Sequence, residues 1–198
     1  MTSVFLCVKS APAPANRMAM EIAWVHESGR RESHLVKPPA AWLPLLRAVS
    51  TRDGPEAFFR IPLAELVRDG VDVRTLASRV VSELWHPDVR VFANTPEEGV
   101  LLGGILGTAG EQRGIGVWEM AEAYGEAYLP AFRPLPGPRA RHWKQATAQV
   151  VETAGEVMGR CSAADAAAHV DDGSALAGAE RLWRLWRAIG VEATRMVA

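Results

Sequence analysis

Cysteine is scarce in this chain: Cys7 and Cys161 stand far apart in 198 residues, with no Cys-x-x-Cys spacing. That excludes a disulfide framework and a thiolate zinc site and fits a reducing compartment. Excess charge of either sign is missing as well, since 22 Lys and Arg face 23 Asp and Glu for a net −1. Nucleic-acid binding through a global positive field is thereby excluded, which leaves only a local basic patch for that purpose. No apolar run approaches the roughly 18 residues of a membrane span. The first run is short and ends at Lys9 before a Pro-rich stretch, unlike a secretory signal, so a cytoplasmic place is expected. Internal repeats and low-complexity tracts are absent beyond short Ala runs.

What remains is an ordinary globular composition, 48% hydrophobic and 23% charged, in a length that suits a single domain over 1–198. Abundant Ala and Arg, with Asn only at Asn16 and Asn94, point to a GC-rich bacterial genome. Val4 to Val8 reads as a buried strand. Met18 to Val25 and His34 to Val36 read as a second and third strand, paired antiparallel through a polar tip containing Gly29 and stopped by Pro38 and Pro39. Ile61 to Asp69 predicts a short helix closed by Gly70. Asp72 then caps a second helix whose Val73, Leu76, Val80 and Leu84 share one face. Val89 to Ala93 reads as a fourth strand and Glu97 to Ala109 as a helix. A last helix opens at Ser174, buries Leu176, Ala179, Leu182, Trp183 and Trp186, and is expected to stop at Gly190. Strands alternating with helices after a hairpin imply a mixed sheet covered by helices.

The order of these segments resembles the DEDDh family of 3′–5′ exonucleases. Met20-Glu21-Ile22-Ala23 is similar to the family's second strand, and His34-Leu-Val-Lys-Pro38 to its proline-ended third. Phe58 to Pro62, with Leu66 and Gly70-Val71 after it, resembles a further family segment. Val91 to Pro96 resembles the fourth strand, and Gly173-Ser-Ala-Leu-Ala-Gly178-Ala-Glu-Arg-Leu the final helix. The resemblance implies an α/β, ribonuclease H-like fold: a mixed five-stranded sheet flanked by helices, with a helical C-terminal extension from about 116 to 168.

It also implies where catalysis would sit, and those positions have changed. The family's four carboxylates hold two divalent cations about 4 Å apart, and hard cations such as magnesium need that oxygen-rich cage. The matching positions here are Cys7, Lys9, Glu98 or Gly99, and Gly178, while the general-base histidine falls at Gly173. A protonated lysine about 4 Å from a divalent ion costs on the order of 8 kcal/mol at an effective dielectric of 20. Cys7 is a soft ligand that magnesium disfavours. No metal or other cofactor is therefore expected.

Rival readings rest on other residues. An active nuclease needs magnesium or manganese at a rearranged site built from Glu21, Glu97, Glu98, Asp171, Asp172 and His169. Acids in a first helical turn usually only favour the helix dipole, and Asp171 and Asp172 suit a capping loop. Cys7 beside Lys9 would be an activated thiolate if the lysine lowered its pKa. From Tyr128 to Val151, Arg133, Arg139, Arg141 and Lys144 are interleaved with aromatics including Trp143, a pattern suited to single strands or else to a solvated loop. Arg181, Arg184 and Arg187 read as a solvent-facing stripe. The expected function is that of a catalytically degenerate exonuclease-like protein. Its expected partner is single-stranded nucleic acid or a protein, including a second copy of itself. A structural or regulatory subunit without nucleic-acid affinity is the other alternative.

Overall fold

In the computed structural model, which describes residues 1–11, 18–52, 61–120, 123, 155–169 and 172–197, the first strand is the middle of the sheet. This strand, β1 (Thr2–Ser10), is followed by β2 (Ala19–His26), β3 (Arg31–Leu35), β4 (Val89–Ala93) and β5 (Val117–Glu119). Their order is β3-β2-β1-β4-β5. The β1–β2 and β2–β3 pairs are antiparallel, whereas β1–β4 and β4–β5 are parallel. A central strand covered on both faces must be apolar throughout, and Val4 to Val8 are all buried. Gly29 takes φ 88 at the tip of the β2–β3 hairpin.

Helices α1 (Leu43–Arg52), α2 (Leu63–Asp69), α3 (Val73–Leu84), α4 (Pro96–Thr108), α5 (155–168) and α6 (Ala175–Val197) complete the described chain, with a 3₁₀ turn at Ala40–Trp42 before α1. Asp72 caps α3 by accepting from Arg74 N at 2.9 Å. Helices α3 and α4 cover one sheet face, where Leu76, Val80, Leu84, Leu102 and Ile105 meet Val4, Leu6, Ile22 and Trp24. Helix α6 covers the other, setting Ala175, Ala179 and Leu182 over Phe5, Cys7, Ala23, Val25 and Phe92.

Several expectations need correction. Strand β3 begins at Arg31 and ends at Leu35, because antiparallel pairing with β2 recruits the polar residues after the turn. Helix α1 has no counterpart in the sequence reading. Its Pro44 lies in the first turn, where a missing N–H costs nothing. The fifth strand lies inside the segment expected to be a helical extension from 116, since β5 pairs with β4. Of that extension, α5 is helical, and residues 121, 122 and 124–154 lie outside the described residues. Gly190 does not end α6, which runs on to Val197 with Glu192 and Arg195 paired at 2.9 Å.

Nor do the arginines of α6 form a solvated stripe. Arg181 donates to Ser162 Oγ at 3.2 Å, Arg184 pairs with Asp165, and Arg187 lies 4.9 Å over the Trp183 ring. Two of the three thus join α6 to α5. Trp183 in turn donates to the carbonyl of Glu27 at 3.2 Å, tying α6 to the hairpin.

Candidate functional site

Residues two apart on a strand point to the same face, so Cys7 and Lys9 both project toward α6. The thiol is buried and the lysine exposed. Where α6 crosses the end of β1 it presents Gly178, and the approach is too close for a side chain. A Cβ there would lie 2.6 Å from Cys7 Sγ and 4.0 Å from Lys9 Nζ. Glycine is what lets the helix seat on the strand.

The first turn of α4 supplies the third group. Glu98 is only 7% exposed. Its Oε1 accepts from Val8 N at 3.1 Å, and its Oε2 accepts from Thr95 N at 3.1 Å. One carboxylate thus satisfies a β1 amide beyond the pairing with β4 and an amide at the start of α4. Helix α5 forms the opposite wall through Gly155, Met158, Gly159 and Ser162, with Arg181 reaching across from α6. Together these groups bound a cleft of about 660 Å³.

Electrostatics fix the state of the thiol. Burial, followed by the neighbouring Glu98 carboxylate, pushes Cys7 up to about 12 and outweighs the downward pull of Lys9. It is a neutral thiol at neutral pH, and the activated-thiolate reading is overturned. The Lys9 side chain makes no ion pair or hydrogen bond among the described residues, while its backbone pairs with Glu21 in the sheet.

The structure therefore brings Cys7, Lys9, Glu98 and Gly178 together at one cleft, but not in a form that suits two hard cations. The sole lining carboxylate among the described residues already accepts two backbone N–H bonds, a soft thiol stands beside it, and Gly178 contributes nothing. Gly173 takes φ 76, a conformation that would strain a histidine. Among the described residues no group of three or more His, Cys, Asp and Glu side chains is placed to hold a metal ion.

Of the proposed rearranged acids, Glu21 joins Glu98 beside Cys7, and the other described ones lie apart from them. Glu97 lines a separate groove with Met18, Trp42 and Val100 on the α3–α4 face. Glu21 is buried on the cleft face of the sheet, directly across from Lys9 in the β1–β2 register. Asp172 accepts from Ser174 N at 2.8 Å as a turn-forming side chain. His169 faces Asp165, 3.3 Å away on α5. Asp171, Arg133, Arg139, Arg141, Trp143 and Lys144 lie outside the described residues. Sequence reasoning missed Arg181 as a lining residue, although its place three residues after Gly178 puts both on one helical face.

No protein-family model matches the chain, and no curated protein matches it in sequence. Solved structures do match in shape. A product-bound structure of exonuclease I superposes with a TM-score of 0.55 at 15% identity, covering 99% of this chain and 45% of that one. The zinc-bound E. coli ExoI–ssDNA complex gives 0.58 at 14% identity, over 98% and 41% of the two chains. An ExoI/SSB-Ct complex gives 0.53 at 14%, over 99% and 42%. The chain spans less than half the length of these exonuclease I chains. With its mixed five-stranded sheet and flanking helices, it has the ribonuclease H-like fold seen in exonuclease I.

Proposed function

We propose that this chain is a catalytically degenerate exonuclease-like module that binds single-stranded nucleic acid without hydrolysing it. The observation that carries this reading is the chemistry at the end of β1: a neutral thiol, an exposed lysine and a glycine around one carboxylate already engaged by Val8 and Thr95. Two-metal hydrolysis needs an anionic oxygen cage. This cleft offers cations to an anionic chain instead. The run of Arg133, Arg139, Arg141 and Lys144 with Trp143 adds, at the level of sequence, groups that track phosphates and stack on bases. The fold likeness to exonuclease I, solved with ssDNA, supports the same choice of ligand.

A binding and cleavage experiment tests it. Labelled single-stranded DNA and RNA, incubated with magnesium and with manganese, should stay at full length. The same strands should shift in a gel when the metal is chelated, and binding should weaken with salt and in an Arg139→Ala/Arg141→Ala double variant. Metal-dependent shortening would return the protein to the active nucleases. A second reading, docking of a protein partner, is favoured by Trp85 and Trp118, which are 49% and 46% exposed and lie under Arg113 and Arg90 respectively. Salt-independent absence of any shift would select it.

A further inference from the structure

We infer that the cleft is a metal-independent site for a terminal phosphate monoester, with Lys9 and Arg181 as its two cationic ligands. The inference rests on the nucleic-acid reading above and names the group that the cleft would take. Its basis is the way burial sorts the charges. Glu98 and Glu21, the acids nearest Cys7, are 7% and 5% exposed. Glu98 spends both oxygens on backbone N–H groups. The Lys9 side chain by contrast is exposed at the cleft and makes no ion pair among the described residues, and Arg181 lines the same cleft.

Arg181 is held in place for this role. Its Nη2 donates to Ser162 Oγ at 3.2 Å, which braces the guanidinium between α5 and α6 and leaves other donors of the fork for a ligand. Asp165 draws on it only at longer range, since that carboxylate is bonded to Arg184. Gly178 lets α6 seat on Cys7, which brings Lys9 Nζ to 4.0 Å from where a Cβ would stand and so places it beside the helix that carries Arg181.

The size and charge of the ligand follow. A volume of about 660 Å³ falls within the roughly 300–1,000 Å³ of small-ligand sites. It accommodates a phosphate together with the nucleoside that carries it. A phosphate monoester carries about −1.5 to −2 at pH 7, against −1 for a diester linkage, and two cations match the monoester. A strand end is therefore preferred over the interior of a chain. Cys7 adds no charge of its own, and the opposing charges are the buried Glu98 and Glu21 carboxylates.

Fluorescence anisotropy in EDTA tests the proposal with oligo(dT) bearing a 3′-phosphate, a 5′-phosphate or hydroxyls at both ends. One phosphorylated form should bind about tenfold tighter than the dihydroxyl strand, the scale of a charge-assisted contact. That preference should vanish in Lys9→Ala and in Arg181→Ala, persist in Lys9→Arg, and leave circular dichroism unchanged. Equal binding of all three strands by the wild type would overturn the inference while leaving single-strand binding intact. So would a preference that survives Lys9→Ala. Calorimetry with thymidine 3′- and 5′-monophosphate separates the two readings. Lys9-dependent binding of either nucleotide, with no binding of any strand, would sustain the phosphate site and overturn the strand-binding function.

Discussion

Glu98 is the residue that most changes meaning between the sequence and the fold. As an acid in a first helical turn it is a dipole-favouring group or a surviving metal ligand, and the two are indistinguishable by spacing. In three dimensions it is an acceptor for two amides, Val8 N on the central strand and Thr95 N at the entrance of α4. Truncation would leave a buried amide of β1 with no acceptor, besides removing a helix cap. Glu98→Ala should therefore cost about 2–3 kcal/mol by urea denaturation, from an unsatisfied buried group and a lost cap. Glu98→Gln, whose amide oxygen can still accept from one of the two, should recover a substantial part of that loss. An alanine variant as stable as wild type would show that the carboxylate is free for another role.

Among the elements, α6 connects the parts. It lies on β1 and β2 through Ala175, Ala179 and Leu182, holds the hairpin through Trp183, and grips α5 through Arg181 and Arg184. The α5 link is acid-sensitive in a defined direction. The bond from Arg184, followed by its charge and those of His169 and Arg181, holds the Asp165 carboxyl below its usual 3.8. A depressed carboxylate pKa gives stability that is fully present above the unfolded value and is lost as pH falls through the folded one. The melting-temperature gap between wild type and Asp165→Asn should thus be present at neutral pH and close as pH falls below 3.8. A gap independent of pH down to 3 would show that the ion pair contributes nothing.

The same elements show what the sequence could reveal. Apolar runs and caps marked β1, β2, α3 and β4 because burial on both faces, or on one helical stripe, leaves a pattern in the residues themselves. Helix α1 was hidden by Pro44 in its first turn. Strand β5 has only three residues, too few for alternation to register. Gly190 looked like a stop, since its tolerance within α6 depends on the open surroundings of the helix rather than on its neighbours in sequence. At the site, family spacing led to Cys7, Lys9, Glu98 and Gly178. The Val8 amide on Glu98 and the Ser162 brace on Arg181 are tertiary contacts with no sequence signature.

On the scale of the whole molecule, the fold does not by itself dictate the chemistry of its cleft. The ribonuclease H-like sheet is intact, but α6 seats directly on β1 at the place where a cage of carboxylates would need room. Placing carboxylates there should therefore not create a hydrolytic site. A Cys7→Asp/Lys9→Glu/Gly178→Asp variant must fit a new side chain where a Cβ already meets Cys7 at 2.6 Å, and it would crowd acids beside Glu98. Overpacking of this kind costs about 1–3 kcal/mol, and like charges add to it in the absence of metal. The triple variant should melt below wild type, show no rise in melting temperature with magnesium, and leave labelled single strands at full length. Magnesium-dependent stabilisation together with strand shortening would mean that α6 can yield to a cage of carboxylates at this place. A lower, magnesium-insensitive melting point without cleavage would place the block in the packing of α6 on β1.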